Sequence, residues 1–202
     1  MTSYPLSWPT YTGVKSDTLT LTRIQRAHKS PFSGATQVVA NFSRWDLAIE
    51  LPVMRLANAE KWAAWLDSLN GQEGTFRYAP SQSATSALSG ITLDSAIAAG
   101  QTVIDLAGWS ALAASTLRVG QMLTCGALFR ILSAPANADA GGVCQVEVAP
   151  PVRLAYAGGT AVEFGASYAP RGLFRLAEPP PGYTQGADGW CTFPVLNAEE
   201  AL

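Results

Sequence analysis

The residues of this chain that could do chemistry are few and scattered. The single histidine, His28, opens the stretch "HKSPFSGATQVVANFSRWDLAIELP" (residues 28–52), with Ser30, Ser33 and Asp46 close to it in sequence. A Ser–His–Asp site needs a hydroxyl against the imidazole, a carboxylate behind it and donors for an oxyanion. Neither serine lies in a Gly-x-Ser-x-Gly elbow, and no separate motif supplies the donors. His28 therefore reads as a polar residue at a strand end beside a turn. Paired carboxylates could hydrolyse glycosides. However, Glu50, Glu60, Asp67, Glu73, Asp94, Asp105, Glu147 and Glu163 occur singly, and nothing in the sequence brings any two together. Glu60 and Asp67 fall two turns apart on one helix, where solvation is the simplest reading.

Cys125, Cys144 and Cys191 form no CxxC motif, and their odd number leaves at least one free thiol. With one histidine they cannot complete an ordinary zinc site. They read as structural thiols, with a Cys125–Cys144 bridge between neighbouring strands as an alternative. "GGTAVEFG" and "NADAGG" lack the lysine and the strand–loop–helix context of a phosphate loop. No calcium-loop pattern occurs. No catalytic residue, metal site or cofactor is expected. Trp8, Tyr11, Trp45, Trp62, Trp65 and Trp190 could stack on sugars. Trp45, Trp62 and Trp65 have core spacing, which leaves Trp8, Trp190 and Trp109 as the candidates for a carbohydrate face.

The elements around these residues are mostly strands. "TLTLTRIQRA" (18–27) alternates as a half-buried strand with one wet face. "SPFSG" is a turn, with Pro31 and Gly34 at turn positions. The following run is two strands or one bent strand, with Trp45, Leu47, Ile49 and Leu51 on one side and Pro52 as the stop. "LANAEKWAAWLDSLNGQEG" is the one clear helix. Asn58 reads as the N-cap, and Glu60 suits the positive end of the dipole. Trp62, Trp65, Leu66 and Leu69 share its buried face, and Asn70-Gly71 ends it. "GTFRYAP" returns to strand.

From about 80 to 160 the composition changes. "SQSATSALSG" reads as a linker, "LTCGALFRIL" as a hairpin turning at Cys125-Gly126, and "APANADAGGV" as a loop. This is a small all-β unit, a compact barrel or sandwich. In the tail, "WCTFPVL" suits a closing strand of the first domain, and "NAEEAL" reads as a frayed end. One helix with about ten to twelve strands makes a mainly β fold.

The totals bound the function. Nearly half of the 202 residues are hydrophobic, so a packed core is expected. Charged residues are 14%, against about 25% in soluble domains, which suggests a surface covered by other subunits. A net charge of −2 argues against a nucleic-acid binder. No apolar run reaches the roughly 20 residues of a spanning helix. The start "MTSYPLSWPTYTG" lacks the basic and apolar regions of a secretory signal, so synthesis and folding in the cytoplasm are expected.

Four stretches, in order, resemble the distal tail protein family of long-tailed (siphophage) bacteriophages. "SPFSGATQV" is similar to its Ser-Pro-Phe-x-Gly-x-x-Gln turn. "RWDLAIELPVM" is similar to its Trp-x-hydrophobic-x-hydrophobic-x-Leu-Pro strand. "AEKWAAWLDSLNGQEGTFRY" is similar to its helix with a Leu-x-Gly-x-x-Gly-Thr-Phe ending. "LRVGQMLTCGALFRILSAPANADAGGVCQVEVAPPVR" is similar to a small β unit of phage tail-tip proteins. The likeness spans about 19–78 and 117–176.

The resemblance implies a structural virion component at the tail tip, assembled in the host bacterial cytoplasm, and no enzyme. Its copies would form a ring, usually a hexamer, between the tail tube protein and the hub or baseplate proteins. DNA would pass through the central channel without specific binding, and this chain would not insert into a membrane. On this reading a discontinuous β-barrel or sandwich domain (1–79 and 161–202), buttressed by the helix, builds the ring. An inserted OB-like or barrel domain (80–160) projects outward. The alternative is a carbohydrate-binding, host-attachment module of a tail tip.

Overall fold

The computed structural model describes residues 3–82, 88–165 and 169–201. The chain is mainly β, with one helix among the described residues. In order, the elements are β1 (Leu6–Ser7), β2 (Ser16–Lys29), β3 (Thr36–Glu50), β4 (Met54–Arg55), α1 (Leu56–Ser68) and β5 (Thr75–Tyr78). There follow β6 (Thr92–Leu93), β7 (Val103–Ala107), β8 (Met122–Cys125), β9 (Ala127–Ser133) and β10 (Val143–Ala149). The last are β11 (Gly172–Leu176), β12 (Thr184–Gln185), β13 (Trp190–Thr192) and β14 (Leu196–Glu200). These 14 strands exceed the sequence count because several are only two or three residues long, too short to leave a periodic signal.

Three sheets result. A six-stranded sheet has the order β1-β5-β11-β14-β3-β2, a five-stranded sheet β6-β7-β10-β9-β8, and a small sheet β12-β13-β4. All pairings are antiparallel except β1 with β5. "NAEEAL" is not a frayed end. Leu196–Glu200 is an inner strand of the six-stranded sheet, bonded on both sides, and Leu196, Ala198 and Glu200 point into the protein.

The first core gathers around α1. Trp45, Leu47, Ile49 and Leu51 are all buried, as their period of two requires. Trp62, Leu66 and Leu69 pack against them, with Trp65 half-buried beside Trp8 and Phe76. The helix begins earlier than its capping pattern suggests. Its N-cap is Arg55, which makes no side-chain cap, and no acidic residue lies in the first turn. Asn58 and Glu60 are therefore inside the helix. The β4 pairing with β13 fixes the start in place of a cap. The end is as the sequence indicates, with Asn70 and Gly71 at φ 51° and 71°. Gly74 then passes so close to Leu69 and the Tyr4 ring that no Cβ would fit.

A second core lies between β6–β10 and the segment after them. It holds Ile91, Leu93, Ile104, Leu106, Leu123, Phe129, Ile131, Val146 and Val148, and it extends to Val162 and Phe164. The β8–β9 hairpin turns at Gly126, with Cys125 opposite Ala127 and φ 69° at the glycine. The faces of this hairpin divide: Met122 and Leu128 join the first core, while Leu123 and Phe129 join the second. Half of the expected linker "SQSATSALSG", residues 83–87, lies outside the described residues.

The two cores are tied by a buried ion pair. Arg153 approaches Glu200 at 2.7 Å, with side-chain exposures of 15% and 2%. Glu200 also accepts the Trp45 backbone N–H at 3.0 Å, and Arg153 donates to the Ser43 carbonyl. The Trp45 indole donates to the Leu128 carbonyl at 2.9 Å, and the Arg130 guanidinium lies 5.0 Å from a Trp45 ring centroid. Burial raises the carboxyl of Glu200 above its ordinary range, and the Trp45 and Arg153 contacts oppose that rise.

Candidate functional site

His28, the two turn serines and Asp46 do not converge. His28 is exposed on β2 and faces Gln37 across the ladder. Asp46 faces Thr20 in the same ladder, eight rungs nearer the core, which is roughly 27 Å at 3.4 Å per residue. Asp46 accepts Thr22 and pairs with Arg44 at 2.9 Å. Both serines are used by the turn. Ser30 Oγ accepts the N–H groups of Phe32 and Ser33, and Ser33 Oγ accepts that of Ala35. A triad of His28 with Ser30 or Ser33 and Asp46 is geometrically excluded.

The cysteines are all free and buried. Cys125 on β8 and Cys144 on β10 are separated by β9, so the bridge between neighbouring strands cannot form. Burial pushes the Cys125 thiol up from 9.0 to about 11, and burial with nearby Asp139 also raises Cys144. No group of three metal-binding side chains occurs among the described residues.

The aromatic candidates occupy separate places. Trp8 is half-buried in a cage with Trp62, Trp65, Phe76 and Tyr78, at centroid distances of 4.7–5.6 Å. It is not an open stacking face. Trp109 packs on the second core and donates to the Ser115 carbonyl at 3.0 Å. Trp190 is exposed, with the Arg55 guanidinium 3.9 Å from its ring centroid.

What stands out is the far half of the β2–β3 hairpin. The sequence pattern suggests a half-buried strand throughout 18–27. Burial stops at Leu21, and from Arg23 to Lys29 β2 is exposed on both faces. The reason is that β3 leaves its other partner. β14 pairs with β3 only from Asp46 to Ile49, so beyond that the ribbon has two strands. The register shifts between Ile24 and Gln25, skipping residue 41, a bulge that bends and twists the ribbon. From Leu21 to Ser30 the arm reaches about 30 Å at 3.3 Å per residue. Its tip is closed by Ser30 N–H to the Ala35 carbonyl at 2.8 Å and Gly34 N–H to the Ser30 carbonyl at 3.0 Å. Gly34 has φ 67°, a conformation that favours glycine. The tip presents Phe32 at 99% exposure, and Ile24 and Val38 are exposed along the strands.

The arm is also charged in one sense. No carboxylate occurs between Asp17 and Asp46, while Arg23, Arg26 and Lys29 lie on the exposed part of β2 with His28. A net charge of −2 conceals this segregation. Where the arm leaves the sheet, Arg23, Gln25, Phe42 and Ser43 face Glu147, Pro151 and Arg153 across a cleft of about 500 Å³.

A second surface collects carboxylates that are far apart in sequence. Asp94, Asp105 and Asp139 line one open groove of about 720 Å³ with Asn137, Gln145 and Ser133. The β6–β7 and β7–β10 pairings bring them together, a juxtaposition that sequence spacing does not carry. Asp105 accepts from Gln145 at 3.0 Å, and Asp139 accepts the N–H groups of Gly141 and Val143. No protein-family model and no curated protein matches the chain.

Proposed function

We propose that this chain is a structural subunit of a bacteriophage tail tip. Its copies form a ring that joins the tail tube to the tail-tip hub and leaves a channel for DNA. The observation that carries the proposal is the two-stranded arm. A hairpin of this kind is marginal alone in water, because each strand has one neighbour and neither face is covered. Such a ribbon, with a fully exposed phenylalanine at its tip, fits a subunit whose surface is completed by assembly. The long β2 edge is a further pairing surface, since edge strands present unpaired N–H and C=O groups. The tip of the arm is the "SPFSGATQV" stretch and its return strand runs into "RWDLAIELPVM"; both stretches resemble the distal tail family.

The proposal assigns the chain no catalysis. It treats the 80–160 region as an outward unit on a ring-forming domain. The host-attachment reading has weaker support, because Trp8, Trp109 and Trp190 sit in separate settings. Immunogold labelling tests the proposal. Antibodies to this chain should mark one end of the tails of particles that carry it. Label absent from tails, or confined to free protein, overturns the proposal.

A further inference from the structure

We infer that the cationic arm of one copy seats in the aspartate-lined groove of a second copy. The inference rests on the ring reading and adds a contact to it, in which the 80–160 region, which carries the groove, receives the arm of a neighbour. Two surfaces of opposite sign are exposed on one chain. The arm carries Arg23, Arg26 and Lys29 with no carboxylate among its residues. The groove carries Asp94, Asp105 and Asp139, and neither Lys nor Arg is among its described lining residues. The cations of the arm make no ion pair among the described residues, so their charge is free for a partner.

Charge also selects the geometry. A symmetric contact between two β2 edges would bring Arg23, Arg26 and Lys29 against their own copies, and such like-charge juxtaposition is unfavourable. The arm-to-groove contact is heterologous: each copy gives one surface and receives the other. Repeated by rotation, such a contact closes into a ring or continues as a filament. It also covers a ribbon that otherwise has water on both faces. Groove and arm are open and polar, so the contact weakens as salt screens it.

The test uses the full chain and follows its mass by sedimentation across salt concentrations. Substituting Arg26→Glu with Lys29→Glu should raise the dissociation constant of assembly at least about tenfold, as loss of complementary charge does. Asp94→Lys should do the same, with Asp105→Asn as a milder groove variant if the first does not fold. Mixing the arm-reversed and the Asp94→Lys proteins should recover part of the assembly that neither makes alone. Rings that survive arm reversal unchanged overturn this contact and leave the ring reading standing. Open chains that arm reversal dissolves support the contact and remove the ring. A wild-type chain that stays monomeric at hundreds of micromolar in low salt overturns both. The same proteins are titrated with mixed-sequence duplex DNA. Arm-dependent DNA binding without any arm-dependent assembly would make the arm a nucleic-acid contact and overturn the inference.

Discussion

Phe32 and Cys125 lie at opposite extremes of exposure, and each makes a separable prediction. Phe32 is 99% exposed at the arm tip, so its ring contributes little to the isolated subunit. Phe32→Ser should shift unfolding free energy by no more than about 0.5 kcal/mol. The same change should weaken assembly, measured as a lower fraction of oligomer at fixed concentration. Cys125 is fully buried and its thiol is held up at about 11. The native protein should therefore resist a thiol reagent at pH 8, and all three cysteines should react once it unfolds. The folded-state value of Cys125 lies above its ordinary 9.0. As pH rises, the unfolded chain loses this proton first, so the Cys125 contribution lowers stability from about pH 9 up to about pH 11. Denaturant midpoints of wild type and Cys125→Ala across that window measure the difference. His28, by contrast, is a surface residue of the arm, and His28→Ala should leave the fold intact.

At the scale of elements, β14 is the strand whose role the sequence concealed most. "LNAEE" has the composition of a loose end, yet Glu200 is buried because Arg153 and the Trp45 amide meet it. Removing one partner leaves an uncompensated buried charge. Arg153→Ala should cost about 3 kcal/mol in equilibrium unfolding. Arg153→Met with Glu200→Leu should cost much less, since an apolar pair of similar volume needs no charge compensation. If the double variant is as unstable as the single one, the cost of losing Arg153 is not that of an unpaired buried charge. The helix was more legible. Trp62, Leu66 and Leu69 repeat at the spacing of one face, and Asn70-Gly71 supplies the left-handed stop. Its start is not legible in the capping pattern, because tertiary pairing of β4, and not a cap, sets it. In β2, alternation from Leu19 to Leu21 correctly marked a buried side. It could not show where β14 ends, and that end is what turns the rest of β2 into an arm.

For the whole molecule, the mainly β class was legible from short alternating runs with turn residues between them. The distribution of charge was not. Asp94, Asp105 and Asp139 are brought together by strand pairing, and the cations of the arm are cancelled in the net charge. The result is a molecule with a positive projection and a negative groove, the pair of surfaces on which the proposed head-to-tail contact rests. Ring assembly is the central claim, and negative-stain imaging of the purified chain tests it most directly. At low salt and high concentration the account predicts six-fold rings with a central hole, made of 21.3 kDa subunits. A field of single 21.3 kDa particles under those conditions would contradict it.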